Sequence, residues 1–302
     1  MPYSSSVVSR LAPTPSGYLH LGNAVNFILT WLIVRRVHGT LHLRIDDLDR
    51  ARLRPAYLEN IFRTIEWLGI DYDHGPSGPE DFERNFSQLY RLPEYQHFLR
   101  ELGQVPDRLY ACTCSRTEIL ARSPSGSYSG ACRGRHLSLD TPEAAWRAHV
   151  PADTVVHFTD LWQGPLAIEL TRELGDFVVR RKDGVPAYQI GSIVDDVQLG
   201  VTLLVRGVDL LPSTAAQRWL AAQVPEAAPF LAARVLHHPL LPDASGNKLS
   251  KSQQQPLDRG IVAEAALPRP VYEAVARLLN LPPEAGRSLQ ALQAAFENAA
   301  IG

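Results

Sequence analysis

Apolar residues set the rhythm of the first hundred positions. Residues 7–11 (VVSRL) form a short apolar run of the kind that becomes a buried strand, and a Pro/Gly loop, APTPSG, closes it. Leu21, Ala24, Val25, Ile28, Leu29 and Leu32 then recur at three- and four-residue intervals, which predicts a helix ending near Gly39. Residues 40–45 (TLHLRI) read as a second strand, residues 55–68 as a second amphipathic helix and residues 85–102 as a third. This alternation of strand and helix favours a parallel, doubly wound α/β sheet.

The rhythm breaks between about 106 and 165, where Ser, Gly, Pro and cysteines crowd together as in an inserted subdomain. Strand patterns resume at 176–181 (DFVVRR), 187–194 and 201–206 (VTLLVR). A helix is predicted from Ser213 to Val224, a strand at 233–237, and helices interrupted by Pro268, Pro270, Pro282 and Pro283 from Ala263 onward. The chain carries no internal repeat, heptad or low-complexity tract.

Composition narrows the class. The 302 residues are 45% apolar, enough for a buried core. A formal charge of −2 supplies no global basic field, so any RNA contact has to come from a local arginine surface. The start, MPYSSSVVSR, lacks the form of a secretory signal, and the longest greasy run, Phe27 to Val34, is broken by Thr30. That run is far below the roughly 20 residues of a membrane helix, so a cytoplasmic protein with no membrane partner is expected. The only lysines are Lys182, Lys248 and Lys251 in a chain otherwise committed to arginine. Two of the three share one pentapeptide, which suggests a place where a compact ammonium serves better than a planar fork. Three cysteines, an odd number, argue against a disulfide framework and for metal or idle thiols.

Two polar segments carry candidate chemistry. RLAPTPSGYLHLGN joins the first strand to the first helix. Gly17 and Gly22 allow close approach of a ligand, and the helix N-terminus offers unpaired N–H groups to phosphate, with His20 standing beside them. Taken alone, this is equally a shaped turn with a histidine cap. Gly246 to Ser252 (GNKLSKS) is a loop with two ammonium groups, able to neutralise a triphosphate as pyrophosphate leaves. Taken alone, it reads rather as a solvated lysine loop, the usual meaning of such a segment. Cys112, Cys114 and Cys132 can fill three corners of a metal tetrahedron, with His136 the ordinary candidate for the fourth; three unliganded thiols are the alternative.

Together the two polar segments resemble the HIGH and KMSKS signatures of class I aminoacyl-tRNA synthetases, here His20-Leu21-Gly22-Asn23 and Lys248-Leu249-Ser250-Lys251-Ser252. Arg10 to Gly17 (RLAPTPSG) and Arg44 to Arg50 (RIDDLDR) resemble segments of the glutamate-specific branch. From Asp176 to Gln217 the chain is similar to the shortened paralogues called glutamyl-Q tRNA(Asp) synthetases, through Tyr188-Gln189, Val194-Asp195-Asp196, Gly200-Val201-Thr202, Arg206-Gly207, Asp209-Leu210-Leu211 and Ser213-Thr214. About fifty residues follow Ser252, far fewer than a helical anticodon-binding domain requires.

The resemblance implies a Rossmann-like class I synthetase core with an inserted zinc-binding subdomain and a short helical C-terminal extension. Residues 1–105 and 171–255 form the two halves of the catalytic fold, 106–170 the zinc-binding, acceptor subdomain and 256–302 the extension. It implies activation of L-glutamate by ATP with Mg²⁺, then transfer to the queuosine base of tRNA(Asp). His20, Lys248 and Lys251 carry the catalytic roles, and His20, Gly22, Asn23 and Lys251 bind ATP. The glutamate site comprises Arg10, Leu11, Ala12, Pro13, Thr14, Asp46, Tyr188 and Arg206, with the arginine forks pairing the side-chain carboxylate. A structural Zn²⁺ is implied on Cys112, Cys114, Tyr128 and Cys132, with tyrosine as fourth ligand, and a monomer is expected. The chain departs from the pattern in three places. Asp46 stands for the Glu that accepts the α-amino group, Thr14 for a Ser, and Asn23 for the second signature His. The competing readings are a truncated core charging a terminal ribose, a ligase joining an amino acid to a small amine, and an inactive RNA-binding relative.

Overall fold

The structure, a computed structural model, describes residues 6–122, Tyr128 and residues 130–241, 260–264 and 266–299. Its strands are β1 (Val8–Leu11), β2 (Thr40–Leu43), β3 (Leu109–Cys112), β4 (Ala145–Ala148), β5 (Val155–Asp160), β6 (Gly164–Glu169), β7 (Val178–Arg180), β8 (Leu203–Gly207) and β9 (Arg234–His238). Its longer helices are α1 (Leu21–Arg36), α2 (Pro55–Trp67), α3 (Leu92–Gln104), α4 (Arg116–Arg122), α5 (Tyr188–Gln198), α6 (Leu211–Ala221), α7 (Arg269–Leu278) and α8 (Leu289–Asn298). Among the described residues no helix is long and apolar enough to cross a membrane.

The chain divides into two compact units. The first comprises residues 1–88, 201–208 and 236–302. Here β1 and β2 pair in parallel, Val8 opposite Thr40 through Leu11 opposite Leu43, with α1 as the crossover. Thr40 N donates to Val7 O, whereas Thr202 N donates to Val8 O. Successive carbonyls of a strand point to opposite edges, so β8 lies along the edge of β1 away from β2, and β9 follows β8. The chain thus runs outward from β1 to β2 and later returns on the other side. The strand order reverses at β1, and open α/β sheets bind ligands at such a switch point.

Its apolar rhythm predicts α1 as an amphipathic helix, yet it is buried nearly all round, including Phe27, Trp31 and Val34. One side lies on β1, β2 and β8 and another on α7 and α8, so the C-terminal helices cover a face that an isolated strand–helix–strand unit exposes to water. Arg36 fastens them: its Nη1 and Nη2 donate to Phe296 O and Ala299 O, each at 2.9 Å, at the carbonyl-rich end of α8.

The second unit comprises residues 89–200 and 209–235. β3, β4 and β7 form an antiparallel sheet with a register shift between Trp146 and Arg147, and β5 and β6 form a hairpin. Two expectations are corrected. Residues 187–194, read as a strand from their β-branched residues, lie in α5: Ile190, Ile193, Val194 and Val197 fall at helical spacing once Pro186 and Ala187 set the N-terminus. The single helix predicted at 85–102 is a π-turn at Phe82–Phe86, a 3₁₀ segment at Gln88–Arg91 and then α3. It breaks at Ser87, whose hydroxyl is drawn to Asp47 at 2.6 Å.

Candidate active site

The loop from β1 into α1 ends in a closed cap. His20 is the N-cap of α1: its Nδ1 accepts from Gly22 N at 3.1 Å, while His20 N donates to Asn23 Oδ1 at 3.0 Å. Accepting at Nδ1 puts the proton of a neutral imidazole on Nε2, across the ring from the cap. Glycine at position 22 leaves room for this cap, since a Cβ there would lie 3.0 Å from His20 Cε1 and press on the ring. Asn23 therefore acts structurally, since its carbonyl oxygen completes the cap. At Gly17 a Cβ would meet nothing within 4 Å, so that glycine leaves open space.

The two strand ends beside the cap are locked together. Arg44 N donates to Leu11 O and Asp46 N to Pro13 O, each at 2.9 Å, carrying the β1–β2 pairing into the loop. The carbonyls of Leu11 and Pro13 are thus engaged by backbone, while Ala12 is half-buried and Thr14 exposed. Arg10 is 4% exposed on β1 and Arg206 3% exposed on β8, so neither is a surface arginine at a strand end. Asp46, 7% exposed, is gripped at two points by Arg44, Nε to Oδ1 at 2.7 Å and Nη2 to Oδ2 at 3.2 Å. Sequence reasoning missed that clamp. It also missed the anchor of Asp47, which accepts from Ser87 Oγ, Gln88 N and Arg50 Nη1 at 2.6–2.8 Å.

Lys248 and Lys251 lie outside the described residues. The residues flanking their segment do not. His238, at the end of β9, meets Asn26 of α1, Nε2 to Nδ2 at 3.2 Å. Beyond the segment, Ile261 N donates to Leu19 O at 3.0 Å, while Leu19 N donates to Asn60 Oδ1 at 2.9 Å. Gly260 has φ +74° and a Cβ there would lie 3.1 Å from that of Tyr18, so glycine alone fits this return beside the cap.

Tyr188 belongs to the second unit, where it opens α5 as a substantially exposed residue. In the same unit Asp195 is held by Arg91 (Nε to Oδ1 2.7 Å) and by the Tyr95 hydroxyl (2.6 Å). Burial works against a charged Arg91, but the bonds and charge of Asp195 outweigh it and raise its pKa; burial and the same carboxylate raise that of Tyr95.

The cysteine cluster, also in the second unit, has the dimensions of a metal site. Tyr128 Oη lies 3.3 Å from Cys112 Sγ and 3.5 Å from Cys114 Sγ, and Cys114 Sγ lies 3.5 Å from Cys132 Sγ. The three sulfurs are all within 4.8 Å of one another. Tetrahedral zinc, with bonds of about 2.3 Å to sulfur and about 2.0 Å to oxygen, sets neighbouring donors about 3.5–3.8 Å apart. The four residues therefore fit such an ion. Among the described residues no histidine joins the group, and His136 is exposed. Burial opposes a thiolate at Cys132, but hydrogen bonds with Tyr128, Cys114, the backbone at Thr113 and Arg135 outweigh it and bring the thiol down to about 6.

The family model for the catalytic domain of class I tRNA synthetases (E and Q) matches residues 6–300. A glutamyl-Q tRNA(Asp) synthetase of Pseudomonas putida strain W619 is 39% identical over 258 residues, covering 83% of this chain and 79% of that protein. The chain belongs to the glutamyl-Q tRNA(Asp) synthetase family. A second member, from Symbiobacterium thermophilum, is 39% identical over 288 residues, 90% of this chain and 86% of that protein. The fold is shared with a glutamate-tRNA synthetase from Elizabethkingia anophelis at a TM-score of 0.76 and 24% identity, over 98% of this chain and 67% of that one. As a family member the chain is a ligase of the aminoacyl-tRNA synthetase type, with a class I α/β fold and parallel sheet.

Proposed function

We propose that the protein activates L-glutamate with ATP and transfers it to the queuosine base of tRNA(Asp). The observation that carries the reading is the His20 cap at the switch point: one nitrogen holds the helix end, so the proton sits on the other, suited to the α-phosphate of ATP. In the first step the glutamate α-carboxylate attacks that phosphorus and pyrophosphate departs. His20 donates to the phosphoryl oxygen as its charge grows, and Lys248 and Lys251 neutralise the leaving group. The anchoring of both flanks of their segment beside α1 supports this role. Arg10 and Arg206, buried on adjoining strands, suit recognition of the substrate's side-chain carboxylate. Asp46 receives the α-amino group, with its carboxylate oriented for the task by the Arg44 clamp. In the second step a hydroxyl of queuosine takes the acyl group.

Mg²⁺ accompanies the nucleotide, and Zn²⁺ held by Cys112, Cys114, Tyr128 and Cys132 fastens the insertion without entering the chemistry. Substrates of this kind suit a cytoplasmic enzyme. The test is acylation of tRNA(Asp) with labelled glutamate, with and without queuosine, before and after periodate oxidation of cis-diols. Label should require queuosine and vanish after oxidation. Equal charging of tRNA lacking queuosine would instead favour the terminal ribose, and absence of glutamate-dependent pyrophosphate exchange would remove the enzymatic reading.

A further inference from the structure

We propose that Arg147 is the positioning residue that holds Tyr128 in metal-binding orientation, an inference that rests on the zinc reading above. Arg147 projects from β4 at the point where its register with β7 shifts. It is 7% exposed, and its guanidinium carbon lies 3.9 Å from the centroid of the Tyr128 ring. Nη1 donates to Asp176 O at 2.8 Å, while the buried Nε has no hydrogen-bond partner among the described residues. A guanidinium so placed draws its remaining stabilisation from the ring face, and a cation on that face counts for more once both are desolvated.

The rest of the surroundings agree. Tyr128 is itself 6% exposed, and its oxygen accepts from Cys132 N at 3.0 Å, which aims the hydroxyl toward the sulfurs. Asp176 ties both flanks of this knuckle. Its carbonyl holds Arg147, and its carboxylate holds Arg133, the residue after Cys132, at 2.5 and 2.6 Å. Three thiolates and a phenolic oxygen around a divalent ion leave excess negative charge in a buried place, which a nearby cation offsets. Arg147 supplies one over the ring, and Arg135 a second, with Nη1 3.7 Å from Cys132 Sγ. Arg147 thus fixes the ring and compensates the ligand set without binding the ion.

The test uses the full chain, stripped of metal and titrated with Zn²⁺ against a chromophoric chelator, with Co²⁺ absorption as a second readout. Arg147→Met should weaken zinc binding about 10- to 100-fold, as loss of a residue supporting a metal ligand does. Arg147→Lys should fail to rescue it, because an ammonium keeps the charge and a donor for Asp176 but lacks the planar face. In a Tyr128→Phe background Arg147→Met should cost less than about two-fold, because the oxygen it positions is gone. Its cobalt spectrum should then match that of Tyr128→Phe alone, whereas a general loss of folding would shift neither pattern this way. Wild-type affinity in both Arg147 variants, or an undiminished cost in the Phe background, overturns the proposal. A wild-type chain that takes up no zinc overturns the zinc reading itself, a distinct result.

Discussion

The decisive perturbation is at His20, where a cap and a proton donor share one ring. His20→Ala removes both; His20→Asn keeps a good N-cap side chain for Gly22 N but stops short of where Nε2 stands. Loss of the cap costs about 1 kcal/mol. In a chain this long that lowers the melting temperature by only about 2 °C. Loss of one donor to the developing phosphoryl charge is worth about 2.7–4 kcal/mol, a fall of roughly 10²- to 10³-fold in rate. Glutamate-dependent exchange of labelled pyrophosphate into ATP, run beside thermal melting, separates the two. His20→Ala should lose stability and rate. His20→Asn should melt with the wild type yet exchange as slowly as the Ala variant. If His20→Asn restores exchange to within about three-fold of wild type, the ring is a helix cap and nothing more, and the assigned chemistry is wrong.

Three further outcomes are expected. Gly22→Ala places a Cβ 3.0 Å from His20 Cε1; the ring has to move, and exchange should drop about ten-fold while the melting temperature holds. Asp176→Ala leaves Arg133, Tyr110 and the Val150 N–H without their shared acceptor and should cost about 3 kcal/mol in urea unfolding, toward the low end for a broken ion pair because Arg133 is partly exposed. His42 is held below its ordinary value of 6.5 by burial and by the neighbouring charge of His74. The unfolded chain therefore takes up this proton first: the stabilisation is full above 6.5 and is lost as pH falls from there through the folded value. Melting of wild type and His42→Gln at about pH 7.5 and about pH 5.5 should show a shallower acid loss in the variant, and equal slopes would rule the account out.

Local pattern made much of the fold readable. β1, α1, β2 and α2 emerge from spacing alone, because a strand pairs neighbours and a helix buries a face with periods the sequence carries. The error at 187–194 has a local cause as well: Ile and Val favour strands by propensity, but burial on a helix face overrides it. The order of the motifs was equally legible, and with it the family, since each motif is contiguous.

Convergence is what spacing could not show. Arg10 and Arg206 lie almost two hundred residues apart, and it is the return of β8 along the far edge of β1 that brings their strands together, both side chains being buried. Asp47 finds Ser87 and Gln88 forty residues away, and Arg147 finds the face of Tyr128 from a strand outside the cysteine segment. The sequence by itself determined most of the elements, the class of chemistry and which residue types were in reach of it. Tertiary structure alone decided which side chains lose their water together, since desolvation depends on neighbours in space and these lie far apart along the chain.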